Sequence, residues 1–187
     1  MRKSKKLHKF TISLDRAKKD KLFYFVVTGT IYHPKLKKCL ILQRSKKEIA
    51  HPGLWGVVGG KLEWADLKNN PITRKNFDIL DWEGLVEKLL TREAKEESGV
   101  DVYDPCYLDS VVYLRTDNVP VVCFKFAVKW KKGKVKIALE FEDFAWVDED
   151  EVKKFQCIQG IPEEVKKTIE IYSDGGLQAP KVRKLTY

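Results

Sequence analysis

Apolar residues follow two rhythms along the chain. The first is the unbroken run "LFYFVVTGTI" (22–31), rich in aromatic and β-branched residues, which predicts a buried strand ending at the turn signal His33-Pro34. "CLILQR" (39–44) follows as its hairpin partner, and "LWGVVGG" (54–60) predicts a short strand closed by a glycine pair. Further on, "YLDSVVYLR" (107–115) and "VPVVCFKFAVKW" (119–130) predict a meander around Asp117-Asn118, and "FAWVDEDEV" (144–152) a last strand entering a short helix. The second rhythm is helical. It predicts a helix from about Trp82 to Ser98 with Gly99 as its C-cap, and another over 162–172 that opens with Pro and acidic residues and ends before Gly175-Gly176. Between these elements, 61–81 has no regular pattern and reads as a long loop or insertion. Strands and helices mixed in this way predict an α/β (α+β) sandwich without repeats or an interdomain linker.

The helix ending at Gly99 carries unusual charge. Set Leu85 at zero with about 100° per residue, and Leu89 falls at about 40°, Val86 at about 100° and Leu90 at about 140°. On the same scale Glu96 falls at about 20°, Glu93 at about 80° and Glu97 at about 120°. All three carboxylates therefore extend the apolar stripe, while Glu87, Thr91 and Lys95 occupy the opposite side. Carboxylates on an inward arc repel one another and lose hydration, so they call for compensating cations. Arg92 neutralises about one charge, and the rest suits a hard divalent ion such as Mg²⁺ or Mn²⁺. The wheel equally accommodates a helix whose last two turns emerge into solvent.

Composition narrows the class. With 187 residues, 43% hydrophobic and 34% charged, the chain is of a size and balance for one folded domain. Its net charge of +9, with five Lys or Arg in the first ten residues, favours anionic partners. Cys39, Cys106, Cys123 and Cys157 form no C-x-x-C pair, and His8, His33 and His51 lack metal-ligand spacing. A zinc site or disulfide framework is not expected, and a reducing cytoplasm is the default compartment. The longest apolar run is too short to span a bilayer, so no membrane partner is expected.

Arg92, Glu93, Ala94, Lys95, Glu96, Glu97, Ser98, Gly99 and Val100 resemble the second half of the Nudix hydrolase signature, R-E-U-x-E-E-x-G-U, where U is bulky and apolar. "GLWGVVGGKLEW" is similar to the strand that precedes it in that family, with Trp55, Gly59, Gly60 and Glu63 in the matching places. "EFEDFAWVDEDEV" resembles the family's later Glu-containing loop and Trp-bearing strand. The spacing departs from the family: thirty-one residues separate Gly60 from Arg92 where the signature has thirteen, an excess of eighteen. Counting back from Arg92 puts the signature's first glutamate at Gly84, with Glu83 one position away as its substitute. The expected organisation is a basic segment at 1–21, a Nudix-type α/β/α sandwich with a mixed central sheet over 22–176 with an insertion near 64–81, and a tail at 177–187.

The resemblance implies that Glu93, Glu96 and Glu97, with the Gly59 carbonyl, hold Mg²⁺ or Mn²⁺ while Arg92 orients a metal-binding glutamate. It implies cleavage of a diphosphate joined to another moiety, often a nucleoside. The general base is expected from the box or from the later loop, with Glu140 preferred and Glu142 second. Arg44 and Lys61 are candidates for phosphate contact, and Trp64, Trp82 and Tyr113 for stacking on a base. Trp64, Arg74, Lys75 and Phe77 of the insertion either line the substrate site or merely pack. The resemblance leaves other assignments open: a capped RNA end as substrate, a Nudix-fold sensor that binds a nucleotide without cleaving it, and a homodimer. A plain basic nucleic-acid-binding domain would leave the inward glutamates unexplained.

Overall fold

The computed structural model describes residues 21–173. The basic N-terminal segment up to 20, the Gly175-Gly176 stop and the C-terminal tail lie outside the described residues. Nine strands and three helices follow in the order β1 (Tyr24–His33), β2 (Lys38–Arg44), β3 (Trp55–Gly56), β4 (Val58–Lys61), α1 (Trp64–Asn69), β5 (Arg74–Asn76), β6 (Ile79–Asp81), α2 (Leu85–Ser98), β7 (Asp101–Leu114), β8 (Pro120–Lys132), β9 (Phe141–Val147) and α3 (Ile161–Tyr172). A 3-10 turn, Val152–Lys154, precedes α3.

The sheet is mixed. β1 runs parallel to β8 and antiparallel to β2, and β7 completes the meander as an antiparallel partner of β8. The apolar stretch 54–60 is not one strand, as its sequence suggests, but breaks at Val57. β3 pairs with β2 (Leu42↔Gly56) and β4 with β1 (Thr28↔Gly59). The break has a simple cause: β1 and β2 are antiparallel, so one segment serving both must change direction between them. β9 covers the other edge of β2.

Helices cover both faces, giving the α/β/α sandwich. On one side Leu89, Leu90 and Ala94 of α2 pack with Val27, Val58, Val100 and Val128. On the other, Ile161 and Val165 of α3 pack with Tyr32, Cys39, Ile41 and Val147. α2 begins at Leu85, three residues later than its periodicity suggests, because Gly84 adopts φ 67° and turns the chain into the helix. It ends where the sequence places the stop: Gly99 has φ 73°, a conformation costly for other residues, and its N–H donates to the Lys95 carbonyl.

The stretch 61–81 is more ordered than its pattern suggests. It folds as α1 and the β5–β6 hairpin, in which Arg74 pairs with Asp81. The Thr73 N–H and hydroxyl both donate to the Asp81 carbonyl, and the Trp82 indole N–H donates to the Asn70 carbonyl at 3.1 Å. Two strands of three residues are too short to show period-two patterning, so these local hydrogen bonds carry an order the sequence hides. The described cysteines are all free, and among the described residues no helix is long and apolar enough to cross a membrane.

Leu90 lies at the contact of α2 with the sheet and is 1% exposed. Leu90→Ala should cost about 2–5 kcal/mol in urea unfolding, and a loss below about 1 kcal/mol would contradict this packing.

Candidate functional site

α2 brings its acids to the glycine pair of β4. The buried line of the helix runs Leu85, Leu89, Leu90, Ala94, Ser98, so the last two turns stay docked instead of emerging into solvent. This line drifts toward Glu93 and Glu97, which are partly buried, and leaves Glu96 on the exposed edge with 58% of its side chain accessible. Small Ala94 and Ser98 let the helix end approach the sheet and turn the inward face by part of a turn. The simple wheel, which places Glu96 inside the apolar arc, is corrected on that point.

Contact with β4 is close. Gly59 N–H donates to Glu97 Oε2 at 2.8 Å. A Cβ on Gly60 would fall within the Glu93 carboxylate, so only glycine admits that side chain. Arg92 gathers the remaining acids: Nη2 lies 2.8 Å from Glu93 Oε1 and 3.4 Å from Asp66 Oδ1, and Nη1 2.7 Å from Glu96 Oε2. Its Nε is buried and has no hydrogen-bond partner among the described residues.

Asp66 was not among the sequence candidates. It is 8% exposed, and its carboxylate accepts the Glu63 N–H at 2.9 Å. The proposed substitute, Glu83, instead pairs with Arg74 at 3.1 Å on the exposed hairpin. Counting forward from the glycine finds what counting back from the arginine misses, since Asp66 stands six positions after Gly60, where the signature has its glutamate. The extra residues therefore follow that acid. α1 delivers the shorter Asp66 side chain to Arg92 across the insertion.

Burial and crowding raise the proton affinity of the inward acids. Burial pushes the Glu93 carboxyl up, Arg92 opposes this, and Glu96, Asp66 and Glu63 add to it. Burial pushes Glu97 to about 8; the Gly59 N–H and Arg44 act against this, and Glu93 and Glu140 with it. The excess of inward negative charge and the all-oxygen donors fit a hard divalent cation. Among the described residues no three acids are already gathered as a ligand set, and Arg92 pairs with Glu93 and Glu96.

The other sequence candidates divide. Segment 136–140 is fastened along the helix end by the Ala138 N–H, which donates to the Glu97 carbonyl at 3.0 Å. The Glu140 carbonyl accepts the Ser45 N–H at 2.8 Å, and the Glu140 charge reaches Glu97. Glu142 is committed elsewhere, accepting from Ser45 Oγ at 3.1 Å and Lys46 N at 2.9 Å. Arg44 also acts on Glu97, but its Nε donates to the Ala50 carbonyl at 2.7 Å and its Nη2 pairs with Glu48 at 2.9 Å. Lys61 follows Gly60 on β4, so its side chain takes the opposite sheet face, with Nζ 5.7 Å from the Tyr24 ring centre. Trp64 is 47% exposed at the start of α1, Trp82 braces the insertion, and Tyr113 is 42% exposed on β7.

No family model matches the chain, and no curated protein matches its sequence. Solved structures do, and they show that the helix–glycine-pair junction sits in a Nudix fold. A MutT protein from Methanosarcina mazei Go1 superposes with a TM-score of 0.59 at 18% identity, covering 84% of this chain and all (100%) of that one. A MutT NUDIX hydrolase from Burkholderia pseudomallei superposes with a TM-score of 0.58 at 18% identity, covering 78% and 97%. The NUDIX domain of Shewanella oneidensis NrtR, complexed with ADP ribose, gives 0.58 at 15% identity, covering 80% and 90%.

The raised Glu97 carboxyl makes a signed prediction. The folded protein keeps its proton up to about pH 8, whereas the unfolded chain releases it near the ordinary 4.5. Rising pH through that window therefore costs the metal-free protein stability. Glu97→Gln keeps an acceptor for Gly59 without this penalty. Its Tm in chelator should exceed the wild type's at pH 8, with the gap closing toward pH 5; a gap independent of pH would refute the assignment.

Proposed function

We propose that the protein is a Mg²⁺-dependent hydrolase that cleaves the diphosphate linkage of a nucleoside diphosphate joined to another moiety. One observation carries this: the inward acids Glu93 and Glu97, set against Gly59 and Gly60 and braced by Arg92, are buried oxygen donors whose ionised forms the protein's own cations do not fully support. The Nudix fold supports it. Glu93, Glu96 and Glu97, with the Gly59 carbonyl, would hold Mg²⁺ or Mn²⁺, and Glu96 on the exposed edge can leave Arg92 to do so. When bound, the cation supplies Lewis acidity at phosphate oxygens and an acidified water.

The chain's own residues do the rest. Arg92 fixes the direction of the Glu93 carboxylate, and Asp66 fixes Arg92 from the other side, so Glu93 keeps its orientation while Glu96 turns from Arg92 toward the cation. Glu140, whose charge acts on Glu97, is the proposed acceptor of a proton from the attacking water. Glu97 is the alternative acceptor within the box. Arg44 adds positive potential beside Glu97, and Trp64, exposed at the start of α1, is the proposed ring for stacking on a base. A cytoplasmic nucleotide pool is a compartment consistent with four free thiols.

The direct test is release of phosphate or pyrophosphate with and without Mg²⁺ from nucleoside triphosphates, nucleotide sugars, ADP-ribose, dinucleoside polyphosphates and capped RNA. ADP-ribose belongs on the panel because the similar NrtR domain holds it. Turnover of one class that needs Mg²⁺ is expected; binding without turnover of any would leave a nucleotide sensor instead. Glu96→Gln should abolish the metal-dependent turnover without unfolding the chain. Asp66→Asn should lower kcat by about 10-fold or more, with less effect on KM, because it loosens the support of Arg92 and not a substrate contact.

A further inference from the structure

One surface hollow among the described residues does not lie at the acids. It has a volume of about 380 Å³ and is lined by Pro34, Lys35, Tyr103, Trp130 and Lys131. These residues come from the β1–β2 turn, the start of β7 and the end of β8. Thr28, which pairs with Gly59, lies five residues before His33, so this end of the sheet is about 17 Å along β1 from the acid cluster, at about 3.3 Å per residue.

The hollow has one aromatic wall, Trp130, that is held in place. The Trp130 ring stacks on His33 at 4.3 Å and 14°, and its indole N–H donates to the Gly133 carbonyl at 3.2 Å. His33 in turn meets Trp146 edge-on at 5.2 Å. Tyr103 is 45% exposed. Its neighbours Lys129 and Lys132 are balanced by Asp104 at 2.8 Å and Asp101 at 3.7 Å. Lys35 and Lys131 are exposed, and among the described residues neither forms an ion pair. Two uncompensated ammonium groups beside a rigid aromatic wall match a flat ring carrying a phosphate: the ring gains stacking and the phosphate gains charge neutralisation.

We propose that this end of the sheet is a second ligand site, which binds a nucleobase with its phosphate, either as a free mononucleotide or as a unit of a single strand. The site is independent of the hydrolase proposed above, and each stands if the other fails. The test is fluorescence titration of the full chain in EDTA, which prevents turnover, with UMP and with a ten-nucleotide oligo(U). At least one probe should bind. Tyr103→Ala should weaken that binding by about fivefold or more, the low end for loss of one aromatic stack, and Tyr103→Phe should preserve it. The double variant Lys35→Gln, Lys131→Gln should lower the salt slope for oligo(U) by about 1.4, from about 0.7 per phosphate contact on a single strand. Binding of UMP that depends on Tyr103 would identify a mononucleotide site, and binding of oligo(U) alone a strand site. No binding of either probe would overturn the proposal, as would binding that all three variants leave unchanged, since it would then lie elsewhere on the basic chain. All three positions are exposed or half-exposed, so the variants should keep the wild-type Tm and any hydrolysis of a mononucleotide substrate. Loss of that hydrolysis would place these residues in the catalytic machinery and also overturn the proposal.

Discussion

The structure turns on the burial of two carboxylates against a backbone with no side chains in the way. Glu93 lies where any Cβ on Gly60 would stand, and Glu97 takes the Gly59 N–H. Sinking negative charge into a partly buried junction is unfavourable unless something opposes it, and the opposition here is small: the guanidinium groups of Arg92 and Arg44 and one backbone donor. The junction is therefore rigid in shape and electrostatically unfinished. Rigidity comes from α2, whose Leu89, Leu90 and Ala94 fix it on the sheet. The unfinished charge is the basis of the proposed cation site.

Neighbouring segments are arranged to serve that junction. The N–H groups of Lys136 and Ala138 donate to the carbonyls of Ser98 and Glu97 near the helix end, and Ser45 ties the β2–β3 loop to the segment carrying Glu140. These backbone bonds let loops without regular structure hold charged side chains beside Glu97. The same fastening explains the different fates of two similar acids. Glu142 is spent on Ser45 and Lys46, where it secures the loop, and the charge of Glu140 acts instead on Glu97.

The insertion shows how a fold accommodates extra chain without losing a site. Arg92 needs an acidic partner on its far side, and α1 provides Asp66 before the additional residues begin. The β5–β6 hairpin then leaves and returns as a self-contained unit, closed by hydrogen bonds between Thr73 and Asp81 and between Trp82 and Asn70. Phe77 at its tip is 96% exposed and takes φ 54°, so the hairpin ends in a solvent-facing ring and adds nothing to the core.

The sequence by itself determined the elements with strong periodicity and the inward acids of α2. β1, β2, β8 and α3 could be read because long apolar runs and a Pro-acidic start are local signals, and Gly99 because a helix stop at positive φ demands glycine. The inward placement of Glu93 and Glu97 was legible for the same reason: a fixed turn per residue carries the stripe of Leu85 and Leu89 forward. Tertiary structure alone decided the rest. The break at Val57 depends on two strands that lie in different directions, which no local pattern encodes. The exposure of Glu96 depends on how closely Ala94 and Ser98 let the helix approach the sheet. The identity of the Arg92 partner depends on α1 folding back across an insertion, and the distance along the chain from Asp66 to Arg92 conceals a contact of 3.4 Å.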